Sequence, residues 1–334
     1  MKISVLGSGG WGTALAVMLA KNDHDVTLWS FADDEYARLS NDRENRAFLP
    51  GVLFPEGLSC TNDMACVQDS DMIVTAVPSF AVRETARKLA KLIHSEQIVV
   101  NVSKGIEKNT SKRLSEVIAD ELGGKGKIVV LSGPSHAEEV GRGVPTCVIA
   151  TSKSFDAART VQDAFMNERF RVYITDDMIG VELGAALKNV IALAAGMCDG
   201  LELGDNSKAA LMTRGLAETA RLGCALGGKE ETFAGLAGLG DLIVTCASMH
   251  SRNRRAGILI GQGYSTEKAL EKVGSVVEGY YATQSASELA KRMNIEMPIT
   301  NEVYRVLFEG EDPEKSLFKL MMRDKKSESN TAWK

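Results

Sequence analysis

The first twenty-nine residues constrain the fold most. Lys2–Leu6 is a short apolar run suited to a buried strand, Gly7-Ser8-Gly9-Gly10-Trp11-Gly12 follows it directly, and residues 13–21 read as a helix. In G-x-G-x-x-G between a strand and a helix, the first glycine permits a tight turn and the second lets a pyrophosphate approach the backbone. The third lets helix and strand pack closely. Gly7, Gly9 and Gly12 are therefore candidate dinucleotide contacts, with the free amides of the helix start facing the phosphates. A plain glycine turn is the alternative. A second strand at Asp25–Trp29 favours the dinucleotide reading, because it completes the unit that holds such a ligand.

After that strand comes Trp29-Ser30-Phe31-Ala32-Asp33-Asp34-Glu35. This is where an acid holds the ribose hydroxyls of NAD, or an arginine accepts the extra phosphate of NADP. The turn holds no arginine, and its acids would repel a ribose phosphate, so it leans towards NAD. The same acids would also serve as ordinary carboxylates at a helix start, and both readings stand.

Strand-like and helical runs then alternate: strands over residues 72–77, 97–102, 127–131 and 146–150, and helices over 81–93 and 111–121. That rhythm predicts an α/β fold, a Rossmann-type doubly wound parallel sheet whose ligands lie at the carboxyl ends of the strands. From about Asp177 the apolar period becomes 3.6, with helices over 178–197, 207–226, 266–272, 282–293, 300–308 and 313–321. Glycine-rich turns are expected at Gly227-Gly228 and over residues 234–241. The expected organisation is a dinucleotide-binding domain at 1–177, a mostly α-helical C-terminal domain at 178–322 and a flexible tail at 323–334.

Lys188 stands out within that helical half. Its helix neighbours are Val181, Gly184, Ala185, Ala192 and Ala195, a face with no other charge. A poorly hydrated ammonium loses its proton readily, which is what an acid/base lysine needs. The alternative is a lysine that lays its stem along an apolar helix and keeps its head in water.

Composition narrows the partners. A chain of 334 residues suits two domains, and a net charge of −5 gives no global basic field for nucleic acid or an anionic membrane. An anionic substrate must be held by local cations. The six cysteines form no C-x-x-C pair, and the four histidines are scattered, so the expectation is reduced thiols, a cytoplasmic protein and no metal site. His136 is expected at the surface or behind the chemistry. The apolar run 190–198 is too short to cross a bilayer, which needs about 20 residues.

Six stretches in order, G-S-G-G-W-G-T-A-L-A, V-S-K-G-I-E, S-G-P-S-H-A-E-E-V, G-A-A-L-K-N-V-I-A-L-A-A-G, A-G-L-G-D-L-I-V-T-C and S-R-N-R-R-A-G, resemble bacterial-type NAD(P)-dependent glycerol-3-phosphate dehydrogenase. The likeness runs from Lys2 to about Met321. It implies reversible oxidation of sn-glycerol 3-phosphate to dihydroxyacetone phosphate, with glycerol 3-phosphate supplied to phospholipid synthesis and a homodimer formed through the helical domain. Lys188 matches the family's proton acceptor. Lys104 matches a contact to both substrate and cofactor, and a second ammonium close by would depress the pKa of Lys188. Gly133, Ser135, Asp241, Ser251, Arg252 and Asn253 match substrate contacts, with Arg252 the fork for a phosphate. Gly10, Trp11, Ala137, Arg252, Val276 and Glu278 match cofactor contacts.

Two positions depart from the family pattern: Gly10, commonly serine, and Phe31-Ala32, where many relatives carry an arginine suited to NADP. The rivals are a 3-hydroxy acid dehydrogenase of the same architecture, which has no need of the S-R-N-R-R cluster, and a dinucleotide sensor without turnover, which has no need of a buried amine.

Overall fold

The computed structural model describes residues 1–325, 327 and 328. β1 (Lys2–Leu6), α1 (Gly10–Lys21) and β2 (Asp25–Trp29) form the unit that the glycine motif requires. Then follow α2 (Asp33–Asp42), β3 (Leu58–Thr61), β4 (Met72–Thr75), α3 (Val82–Leu89), β5 (Ile98–Asn101) and α4 (Leu114–Leu122). β6 (Lys127–Ser132), α5 (Ala137–Gly141), β7 (Thr146–Ser152), α6 (Phe155–Phe165) and β8 (Phe170–Thr175) complete the sheet region.

The strands lie in the order β3-β2-β1-β4-β5-β6-β7-β8. The first six follow the doubly wound order, which reverses between β1 and β4 and opens a crevice at their carboxyl ends. One face of the sheet packs on α1 and α6, the other on α3 and α4. The expectation of parallel strands throughout is corrected at one place, since β7 runs antiparallel to β6. The connection between them, residues 133–145, carries a single five-residue helix, α5. β3 and β8 were not foreseen, although β8 alternates buried and exposed over its first four residues as an edge strand does.

The remaining elements are helices: α7 (Met178–Gly200), α8 (Gly204–Ala225), α9 (Glu230–Ala234), α10 (Asp241–Ala247), α11 (Arg252–Gly261), α12 (Thr266–Val273), α13 (Glu278–Met293), α14 (Pro298–Glu309) and α15 (Pro313–Met321). The stretch expected as a glycine turn instead winds as a π-helical segment, Leu236–Gly240, that runs into α10. Its glycine is packed too closely for a plain loop: a Cβ on Gly238 would lie 2.0 Å from the Phe233 carbonyl oxygen. In the expected tail, Arg323 pairs with Glu296 at 3.3 Å, while residues 326 and 329–334 lie outside the described residues.

α7 is the axis of the helical region and is buried from Gly180 to Cys198. The apolar stretch is longer than the nine residues read from sequence. An 18-residue window reaches a mean hydropathy of 1.6, and 94% of it is buried inside the protein. Glu182, near the start of α7, accepts from Ser115 N at 2.8 Å, Ser115 Oγ at 2.6 Å and Arg113 Nη1 at 2.6 Å, which ties α7 to the start of α4. α7 and α11 meet backbone to backbone. A Cβ on Gly196 would lie 2.1 Å from the Arg254 carbonyl oxygen, and one on Gly257 would lie 2.1 Å from that of Leu193. Interlocked glycines thus hold the start of α11 at a fixed distance from Lys188.

Candidate active site

Lys188 and Asp241 are both buried, at 6% and 1% exposure. The Lys188 amine donates to Asp241 Oδ1, and to Thr245 Oγ1 at 2.6 Å. Lys104 Nζ donates to the other Asp241 oxygen at 2.8 Å and to the Gly133 carbonyl at 2.9 Å. One carboxylate therefore bridges two lysines. Burial pushes the Lys188 amine down from an ordinary 10.5 to about 7; attraction to Asp241 opposes the fall, and the Lys104 charge adds to it.

Each member is placed by local structure. Lys104 sits in the loop after β5, where Ser103 Oγ donates to the Val77 carbonyl at 2.5 Å. Gly133 follows β6 with φ +144, and a Cβ there would lie 2.9 Å from Val148 Cα, so glycine is required. Its carbonyl also accepts from Ser135 Oγ at 2.9 Å. Asp241 begins α10, and Thr245 follows one helical turn later on the same face. The Thr245 hydroxyl proton goes to the Asp241 carbonyl oxygen at 2.6 Å, so its oxygen is left to accept from Lys188. Thr245 was not singled out from sequence, though its spacing of four from Asp241 was a usable signal.

The S-R-N stretch proves to be a helix start. Ser251 Oγ accepts from Arg254 N at 3.2 Å and caps α11. Arg252 is exposed, yet enough protein surrounds its guanidinium to lower its pKa, with Glu278 and Glu138 opposing; a concave wall produces that combination. Among the described residues the Arg252 side chain has no hydrogen-bond partner. Asn253 is buried, donating to Asn189 Oδ1 at 2.9 Å and accepting from Gly279 N at 2.8 Å.

Glu278 opens α13 and reaches the turn after β4, where it accepts from Ser79 N at 3.0 Å and Ser79 Oγ at 2.5 Å. Burial raises its pKa, and the Ser79 bonds oppose that. Val276 is half-buried in the turn before α13. His136 precedes α5, with Nε2 3.4 Å from the Val244 carbonyl oxygen.

At the glycine turn, Gly7 has φ +115 and a Cβ on Gly12 would lie 1.9 Å from the Gly7 carbonyl oxygen. Nothing lies within 4 Å of a Cβ on Gly9, so the space expected for a pyrophosphate is open beside the start of α1. A Cβ on Gly10 would lie 2.8 Å from the Phe48 carbonyl oxygen and 3.5 Å from Ala137 Cβ. That crowding gives the departure at position 10 a physical reason. Trp11 packs half-buried against the core. Asn45, not foreseen, donates to the Ser8 carbonyl at 2.6 Å and to Thr13 Oγ1 at 2.8 Å.

In the ribose turn, Asp33 accepts from Asn62 at 2.8 Å, Asp34 pairs with Arg38 at 3.1 Å, and Glu35 accepts from Ser30 at 2.9 Å. Phe31 is 77% exposed, and Lys88 Nζ stands 5.6 Å from its ring centroid. A cation thus comes from α3, outside the turn that was searched for an arginine.

Comparison with known proteins agrees with this geometry. Residues 2–158 match the NAD-dependent glycerol-3-phosphate dehydrogenase N-terminus model, and residues 177–318 match the C-terminus model. The chain belongs to the NAD-dependent glycerol-3-phosphate dehydrogenase family. It is 52% identical over 330 residues to a glycerol-3-phosphate dehydrogenase [NAD(P)+] of Fusobacterium nucleatum, covering 98% of both chains. It is 55% identical over 329 residues to that of a Thermoanaerobacter species, covering 98% of this chain and 99% of the relative. The crystal structure of glycerol-3-phosphate dehydrogenase from Coxiella burnetii superposes with a TM-score of 0.93 at 42% identity, over 96% of this chain and 99% of that one.

Proposed function

We propose that this family member interconverts sn-glycerol 3-phosphate and dihydroxyacetone phosphate, in a cleft between a dinucleotide-binding domain of residues 1–177 and a helical substrate domain of residues 178–322. The observation that carries the reading is the state of Lys188. With burial holding its pKa at about 7, the amine exists both with and without its proton near neutrality. As a neutral amine it has two hydrogens, which Asp241 and Thr245 accept. Its lone pair is then left for a third partner, the hydroxyl on the second carbon of the substrate.

Bound NAD or NADP supplies the hydride acceptor or donor. Gly7, Gly9, Gly10, Trp11 and Gly12 would hold its pyrophosphate at the start of α1, a role supported by the open space at Gly9. Lys104, Ala137, Arg252, Val276 and Glu278 complete its contacts. In the oxidative direction Lys188 takes the hydroxyl proton while the carbon–hydrogen bond electrons leave as hydride and the carbonyl forms. In the reductive direction its ammonium returns that proton and, with Lys104, stabilises charge on the ketone oxygen. Gly133 and Ser135 face the polyol. Arg252, at the start of α11 and without a hydrogen-bond partner among the described residues, clamps the phosphate with Ser251, Asn253 and the free amides of the helix start.

The reading extends to a cytoplasmic homodimer that supplies glycerol 3-phosphate to phospholipid synthesis, supported by the family and by six free cysteines. The test is loss of NADH or NADPH absorbance on adding dihydroxyacetone phosphate to the purified protein. Absence of turnover with both cofactors would refute the reading.

A further inference from the structure

A buried chain of hydrogen bonds runs directly behind the cleft. Asn189 Nδ2 donates to the Ala185 carbonyl at 3.3 Å, Asn189 Oδ1 accepts from Asn253 Nδ2 at 2.9 Å, and Asn253 Oδ1 accepts from Gly279 N at 2.8 Å. Asn189 follows Lys188, Asn253 follows Arg252, and Gly279 follows Glu278. Three residues of the cleft, on three separate helices, are thus each one peptide bond from the same chain. Asn189 and Asn253 are buried at 4% and 7% exposure, so water does not stand in for a missing partner. The fit is tight as well: a Cβ on Gly279 would lie 2.6 Å from the Asn189 carbonyl oxygen and 3.0 Å from Asn253 Oδ1.

A carboxamide has two faces of opposite polarity, and each link here permits one orientation. Turning Asn189 over would set its oxygen against the Ala185 carbonyl and its amide hydrogens against those of Asn253. Turning Asn253 over would set its amide hydrogens against the Gly279 N–H and its oxygen against Asn189 Oδ1. With its oxygen and one hydrogen committed, the planar Asn253 group keeps a single Nδ2 hydrogen in a fixed direction.

We propose that Asn189 is a positioning residue for phosphate recognition: it sets the orientation of the Asn253 carboxamide and, through it, the placement of the Arg252 clamp relative to Lys188. This rests on the reading of the cleft as the glycerol 3-phosphate site. Asn189 itself touches neither ligand; it acts through Asn253.

The test compares the full-length protein with Asn189→Leu, which has no acceptor, with Asn189→Ser, whose shorter side chain draws its oxygen back from Asn253, and with Asn189→Asp. A buried aspartic acid in its protonated form still donates to Ala185 and accepts from Asn253. KM and kcat are measured for dihydroxyacetone phosphate and for dihydroxyacetone, which lacks the phosphate. The Leu and Ser variants should raise KM for the phosphorylated ketone about tenfold, the loss of one well-placed hydrogen bond, with kcat much less affected. Their kcat/KM for dihydroxyacetone should stay near that of the unmodified protein, and Asn189→Asp should recover most of the affinity. Equal losses on both ketones, or lowered thermal stability with KM unchanged, would overturn the proposal. Absence of turnover in the unmodified protein would instead strike the functional reading itself.

Discussion

Gly257→Ala places a methyl group where the backbone of α7 already stands. The new Cβ would lie 2.1 Å from the Leu193 carbonyl oxygen and 2.9 Å from both Gly196 Cα and Met197 N. Ordinary contact begins at 3.4 Å, so along the Leu193 direction the shortfall is 3.4 − 2.1 = 1.3 Å. Every one of these atoms belongs to backbone or to a glycine Cα, so no side chain can swing away. The helices must separate instead. Overpacking of this kind costs about 1–3 kcal/mol or more, and a misplacement of about 1 Å between reacting groups costs about a hundredfold in rate. Because Arg252 and Asn253 ride on α11 while Lys188 rides on α7, the expected result is a kcat/KM for dihydroxyacetone phosphate lowered by about two orders of magnitude. The melting temperature should fall by several degrees, while circular dichroism still shows a folded protein. NADH affinity should fall far less, because Arg252 alone of the proposed cofactor contacts lies on α11. A folded variant with kcat/KM within about twofold of the unmodified protein would refute the argument that this crossing sets the geometry of the cleft.

Two further outcomes follow from the site. Arg252→Ala removes a guanidinium that has no hydrogen-bond partner among the described residues. It should raise KM for dihydroxyacetone phosphate by at least about a hundredfold, in line with loss of a charge-assisted bidentate contact, and weaken kinetics with dihydroxyacetone far less, through the cofactor contact alone; parallel losses on the two ketones would rule out a phosphate clamp. NADH should serve at least as well as NADPH in steady-state kinetics, because the acids of the ribose turn remain there, each partnered. A strong NADPH preference would show that Lys88 above Phe31 outweighs those acids.

Features carried by local spacing were legible in the chain. The glycine hexamer lies between a strand and a helix as its pattern requires, and α15 begins and ends where its proline and its apolar period place it. Lys188 was conspicuous because a helix face without charge shows directly in a period of 3.6. What escaped depends on elements far apart in sequence. The reversal of β7 shows only in its pairing with β6, which no local spacing announces. Thr245, Asn189 and Ser79 acquire their roles from partners 57, 64 and 199 residues away. The stretch 251–253 was read as a clamp but not as a helix start, although Ser251 was there to cap it. The π-helical segment before Asp241 was hidden because Gly238, which signals a turn in isolation, here permits close packing against Phe233.

The pH dependence of kcat/KM for glycerol 3-phosphate oxidation, in the unmodified protein and in Asp241→Asn, tests the central claim most directly. A base must be free of its proton, so the rate should rise with pH through a limb near 7, where burial holds Lys188. Asp241 favours the charged amine, so its replacement should move that limb to lower pH by roughly 1–3 units. The substrate phosphate titrates identically in both proteins and cannot produce the displacement. A limb at the ordinary lysine value, or one that stays in place when Asp241 loses its charge, would contradict the assignment of Lys188 as the group that exchanges the proton.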